Sequence, residues 1–145
     1  MTQAELARSV RRRVSAHVLD ETAAPAVGTA IYTLSDPREL AAPRYVGQTR
    51  APRRRFLQHV SVARLWLPDE RPWWIAQERL RPLYEWIRAL YADEQRLPVM
   101  VVTAWHDRPV DATVAERDLI QLCMRRQLPL LNVATATSEP QLRLL

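Results

Sequence analysis

Residues 26–60 read AVGTAIYTLSDPRELAAPRYVGQTRAPRRRFLQHV, and this stretch decides the fold. It carries Ala30-Ile31-Tyr32, then Tyr45-Val46-Gly47, then Arg55 with His59 four residues later. The chain has two glycines, Gly28 and Gly47, and both lie here. Glycine is the residue for a backbone at φ > 0 or for close approach by another group. Residues 28–35 alternate in β fashion, Ser35-Asp36-Pro37-Arg38 signals a turn, and residues 44–48 form a second β run. The two runs predict an antiparallel pair. Pro52 then suits the first turn of a helix, and Arg55 and His59, one turn apart, share a face of it. Two strands followed by a basic helix read as a phosphate-handling site.

Working outward, Thr2-Gln3-Ala4-Glu5 reads as a capping box opening a helix to about Leu19, with Leu6, Val10, Val14 and Val18 as its apolar stripe. The helix after Pro52 buries Phe56, Val60, Ala63 and Leu67 and runs to Pro68. Pro72 and Pro82 divide the Trp-rich middle into a short helix at 73–80 and a second at about 82–93, whose wide apolar face includes Leu83, Tyr84, Ile87, Leu90 and Tyr91. VMVVTAW at 99–105 is the strongest strand signal and predicts a central strand. Thr113-Val114-Ala115-Glu116 reads as another capping box, opening a helix to about Gln127. LLNVAT follows as an extended segment. The resulting organisation is an N-terminal helix and loop at 1–27, a core domain at 28–135 with a helical insertion at about 61–97, and a tail at 136–145.

Composition narrows the function classes. A chain of 145 residues with 48% hydrophobic and 26% charged residues is long enough for one domain with a proper core. No apolar run of about 18 residues exists to cross a membrane, and arginines interrupt the N-terminus where a secretory signal would be apolar. The expectation is a cytoplasmic protein with no membrane partner. One cysteine, Cys123, excludes an intrachain disulfide and a cysteine-rich zinc site. With His17, His59 and His106 far apart in sequence, a hard cation on a carboxylate fits better than zinc. All 21 basic residues are arginines. A codon-usage bias accounts for the excess, but not for its placement. Arg44, Arg50, Arg53, Arg54, Arg55 and Arg64 fall within one stretch free of Asp and Glu, and such a local positive field attracts phosphate backbones.

The series Tyr32, Tyr45-Val46-Gly47, Arg55-x-x-x-His59, Glu116, Asn132 resembles the GIY-YIG nuclease superfamily. Tyr45 to Arg55 is ten residues and Glu116 to Asn132 is sixteen, both ordinary spacings there. The single asparagine of the chain falls at the family's asparagine position. One departure is Ala30 where the first motif has glycine. The resemblance spans about residues 28–133 and implies an α+β fold, a small antiparallel three-stranded β-sheet flanked by helices. It identifies the chain as similar to a small stand-alone member with no appended DNA-binding domain.

The resemblance further implies a metal-dependent endonuclease. Glu116 would hold one Mg²⁺ or Mn²⁺, and Arg55 would donate to phosphate oxygens. A tyrosine, ordinarily near pKa 10, would act as base. Tyr45 is the first choice, with Tyr32 as its hydrogen-bonded partner. His59 would relay the proton or contact phosphate, and Asn132 would orient. Arg44, Arg50, Arg53, Arg54, Arg64 and Gln48 would line the nucleic acid, DNA ahead of RNA. The bland alternatives are half-buried strand tyrosines, a capping-box Glu116, a solvated arginine face and tryptophans that fill a core. Two rival functions follow: a catalytically inactive nucleic-acid-binding module, and a Trp-rich protein-interaction domain.

Overall fold

β-Branched and aromatic residues concentrate in three runs, and each becomes a strand. The computed structural model describes residues 16–65, 69–93 and 95–132, with Thr2, Ala4, Glu5 and Arg8. Its elements are β1 (Val18–Asp20), β2 (Thr29–Ser35), β3 (Tyr45–Thr49), α1 (Pro52–Ala63), a 3₁₀ turn (Trp73–Ala76), α2 (Arg81–Ala92), β4 (Val99–His106) and α3 (Pro109–Arg125). The sheet order is β1-β4-β2-β3. β2 pairs antiparallel with both β3 and β4, and β1 pairs parallel with β4. The class is α+β, with a mixed four-stranded sheet where the sequence suggests three antiparallel strands.

The fourth strand corrects the N-terminal reading. Thr2 and Glu5 do exchange capping-box hydrogen bonds, at 2.9 and 3.1 Å. Helical structure is present at Ala16 and His17, but Val18 and Leu19 are extended. Val18 fits a four-residue helical stripe, yet its backbone gains more by pairing with the open edge of β4. Residues 18–20 therefore belong to the sheet. The remaining stripe residues, Leu6, Val10 and Val14, lie outside the described residues.

β2 is buried along its whole length, and its alternation feeds two cores. Ala30, Tyr32 and Leu34 face Phe56, Val60, Trp74, Leu83, Tyr84 and Ile87 from α1, the 3₁₀ turn and α2. Ile31, with Val46 of β3, faces Ala112, Cys123, Leu119 and Ile120 of α3. Helices thus cover both faces of the sheet. At Ile31/Tyr32 the pairing with β4 slips past Thr103, whose Oγ1 donates to the Ile31 carbonyl at 3.2 Å. Such a bulge twists the strand locally and re-aims the adjacent side chain, here Tyr32.

Several boundaries move. α1 starts at Pro52 as its sequence suggests, but ends at Ala63, because Arg64 adopts the left-handed conformation (φ 60°). Leu67, read as part of its stripe, lies outside the described residues. The segment after Pro72 is one 3₁₀ turn instead of a helix to residue 80. α3 opens four residues ahead of Thr113, with Pro109 at its start and no side-chain cap. Proline's fixed φ and missing N–H suit that position, so Thr113–Glu116 lies inside the helix and is no capping box. Leu130 to Asn132 have no regular structure, and Val133 to Thr135 and the tail lie outside the described residues. Among the described residues no helix is long and apolar enough to cross a membrane.

Candidate active site

Gly47 and Tyr32 sit opposite each other in the β2–β3 pairing. A Cβ at Gly47 would stand 2.5 Å from both Cζ and Oη of Tyr32. Glycine at 47 is therefore required by close approach, and the Tyr32 ring lies across the edge strand. Gly28 meets the other need: it has φ +80°, and a side chain there would strike the His106 carbonyl.

The Tyr32 hydroxyl is hydrogen-bonded to His59 Nε2 at 2.7 Å, and His59 Nδ1 to the Tyr84 hydroxyl at 3.2 Å. His59 is fully buried and Tyr32 is 1% exposed. The Tyr45 ring packs edge-on against His59, with centroids 5.8 Å apart. The partner of Tyr32 is thus His59, and not Tyr45 as the sequence suggests; the two tyrosine rings are tilted with centroids 6.3 Å apart. Because β-strand side chains alternate, Tyr32 and Tyr45 reach the same face from neighbouring strands, while α1 delivers His59 between them.

Electrostatics follows from this burial. Desolvation raises the Tyr32 hydroxyl well above its ordinary value, against the opposing charge and hydrogen bonding of Arg55. Tyr45 is raised by burial first and by Tyr32 second. Burial, then the positive charge of Arg55, holds His59 well below its usual 6.5, so the ring is neutral at pH 7. Tyr84 is raised by burial, with Arg55 again opposing. Glu116 acts on Tyr32 and Tyr45 in the opposite sense to Arg55. One cation and one carboxylate, from separate helices, therefore act on the same pair of tyrosines.

Arg55 Nη1 donates to Gln58 Oε1 at 2.9 Å, while its Nε is buried without a hydrogen-bond partner. A buried donor in that condition is one that a ligand oxygen can satisfy. Glu116, half-buried on α3, accepts from Gln48 Nε2 at 3.0 Å, which gives Gln48 a definite partner. Among the described residues no three His, Cys, Asp or Glu side chains gather to hold a metal. The donor set at Glu116 is one carboxylate, which fits a hard cation that keeps water and substrate oxygens in its shell and does not fit a zinc cage.

Asn132 lies against the backbone of β3. Its Oδ1 accepts from Val46 N and its Nδ2 donates to Val46 O, both at 2.8 Å. The side-chain amide thus pairs with the outer edge of β3 between Tyr45 and Gly47.

The arginines divide. Arg50, Arg53 and Arg54 are exposed. Arg44 donates to the Pro129 carbonyl at 3.0 Å and lies over the Trp86 ring, and Arg64 pairs with Glu70 at 2.9 Å. The tryptophans divide too: Trp74 is fully buried with its N–H on the Val62 carbonyl at 2.6 Å, and Trp105 donates to Asp20 at 2.9 Å. Trp73 is 64% exposed, and Trp66 lies outside the described residues. Tyr84 is the residue that motif reading misses. Its sequence signal is only a phenol hydroxyl on an apolar helix face, which needs a partner once buried. No family model, curated protein or solved structure matches this chain.

Proposed function

We propose that this chain is a metal-dependent endonuclease of the GIY-YIG type that hydrolyses phosphodiester bonds of nucleic acid, DNA foremost. The observation that carries the reading is the buried Tyr32–His59 hydrogen bond, with the charges of Arg55 and Glu116 both acting on the same hydroxyl. Phosphodiester hydrolysis needs an activated water, a donor to the phosphate oxygens and charge neutralisation, and these residue types supply one each.

In this reading Tyr32 is the base. Its proton lies on a 2.7 Å hydrogen bond to His59, and the oxygen freed of it accepts the proton of the attacking water. His59, neutral, accepts the Tyr32 hydrogen bond, and the Arg55 charge together with a cation at Glu116 would favour loss of the Tyr32 proton against the burial that opposes it. Arg55 binds a non-bridging phosphate oxygen through its guanidinium. Glu116 would hold Mg²⁺ or Mn²⁺, which would supply charge neutralisation for the phosphate. Tyr45 packs against His59 and keeps water from it. The exposed Arg50, Arg53 and Arg54 track the phosphate backbone, whereas Arg44 and Arg64 are committed to intramolecular partners.

The test is cleavage of supercoiled plasmid, single-stranded DNA and RNA with Mg²⁺ or Mn²⁺. Cleavage that is lost with chelator supports the reading, and the polymer cut identifies the substrate class. Intact substrates with tight, salt-sensitive binding would replace it with an inactive nucleic-acid-binding module. Intact substrates with weak, salt-insensitive binding would leave a protein-interaction domain built on the Trp-rich segment.

A further inference from the structure

The segment between α1 and β4 holds none of the motif residues, yet it sends one polar group into the buried site. Tyr84, on α2, is 1% exposed, and its hydroxyl meets His59 Nδ1. We propose that Tyr84 is a positioning residue that holds His59 in the tautomer protonated on Nδ1, so that Nε2 accepts the Tyr32 hydroxyl proton. The catalytic part of this inference rests on the nuclease reading; the tautomer itself does not.

A neutral imidazole offers one donor and one acceptor, and which nitrogen is which follows from its partners. His59 has a phenol at each end, so both tautomers can satisfy the ring. The two contact lengths separate them. The Nε2 contact with Tyr32, 2.7 Å, has the length of a hydroxyl donating, and the Nδ1 contact with Tyr84, 3.2 Å, suits the longer N–H donor. The charge of Arg55 acts on the Tyr32 hydroxyl from the same helix that carries His59. Tyr45, edge-on to the ring, fixes the plane of His59 but cannot choose between the nitrogens.

Tyr84 is itself held. Its ring packs on Trp74 with centroids 5.6 Å apart, and Trp74 is anchored by its N–H on Val62 of α1. α1 also carries His59, so the acceptor for Nδ1–H and the imidazole are tied to one helix. This gives the α2 segment a task in the site.

The experiment labels the full chain with ¹⁵N-histidine and reads the His59 ring nitrogens at neutral pH without metal. Wild type is expected to show Nδ1 protonated and Nε2 bare. Tyr84→Phe removes only the oxygen, so Nδ1–H loses its acceptor and the proton moves to Nε2, where the Tyr32 oxygen accepts it. Cleavage by Tyr84→Phe is expected to fall about 10-fold to 100-fold in kcat with little change in KM. A wild-type His59 protonated on Nε2 overturns the proposal, even if the variant fails to fold. So does a folded Tyr84→Phe with the wild-type tautomer, or with the shifted tautomer and wild-type kcat. A wild type that cuts nothing defeats the nuclease reading, and the catalytic role of Tyr84 with it; the two spectra still decide whether Tyr84 sets the imidazole.

Discussion

The two faces of the sheet are built from alternate residues of the same strand, and they differ in kind. On one face Tyr32 enters a cluster of Tyr45, His59, Tyr84 and Trp74, fully packed yet threaded by hydrogen bonds. On the other, Ile31 and Val46 meet Ala112 and Cys123 in a smaller apolar cluster, flanked along β2 by the buried Thr33 and Ser35. An apolar core needs only volume and shape. A buried polar cluster must also satisfy each hydroxyl and ring nitrogen, because an unpaired buried polar group costs about 1–3 kcal/mol. The polar face is therefore where sequence choices are narrowest: glycine alone at 47, a histidine at 59, a phenol at 84. The α3 face supports β2 and β3 from behind and brings Glu116 within electrostatic reach of the tyrosines.

The sharpest break in this comparison is Trp74→Ala. It removes a fully buried indole and the floor beneath Tyr84, so urea denaturation should show a loss of about 3–5 kcal/mol. The neighbouring Trp73→Ala, at a 64% exposed position, should change stability by no more than about 0.5 kcal/mol. Equal losses would mean that the two tryptophans are not divided as described.

Gly47→Ala is next. The added methyl meets the Tyr32 ring at 2.5 Å, and Tyr32 has packed neighbours on every other side. A loss of about 1–3 kcal/mol is expected, together with reduced cleavage as the hydroxyl shifts away from His59. A variant with wild-type stability and rate would contradict the close approach.

Acidity gives the third test. The folded pKa of His59 lies below its ordinary 6.5, so between the two values the unfolded chain binds the extra proton. Stability is therefore full above about pH 6.5 and falls as pH drops toward the folded pKa, by up to about 1.4 kcal/mol per unit. Tyr32 is shifted the other way: its folded pKa is above the ordinary 10, so its contribution is present below pH 10 and is lost as pH rises beyond it. Melting against pH should show a plateau between these limits. His59→Gln should remove the acid slope due to this residue. On the opposite face, Ile31→Val should lower stability by about 0.5–1.5 kcal/mol and leave cleavage unchanged.

How far the sequence carries differs between the same two faces. β2, β3 and β4 are legible because alternation and β-branched runs are local signals, and Pro52 marks the start of α1. The motif residues Tyr32, Tyr45, His59, Arg55, Gln48 and Glu116 come from four separate elements, and in the structure they act on one another. What escapes is decided at long range. Val18 reads as helix because its spacing fits a stripe, and only the distant edge of β4 makes it strand. Glu116 reads as a cap because Thr113 precedes it by three, while Pro109 has already opened the helix. Tyr84 looks like one more member of an apolar face, since nothing nearby in sequence tells that its hydroxyl ends on His59, 25 residues away. Arg44 gives no local sign of its carbonyl partner at Pro129, 85 residues on.

The most direct measurement compares wild type with Glu116→Gln, a near-isosteric change that removes one charge from the half-buried carboxylate. DNA binding and Mg²⁺-dependent cleavage would be measured side by side at fixed salt. If Glu116 holds the metal, the variant binds DNA as wild type does and cleaves on the order of 10²-fold to 10³-fold more slowly. Cleavage at the wild-type rate by Glu116→Gln would contradict the site, and a wild type that binds DNA but leaves every substrate intact with metal present would contradict the enzyme.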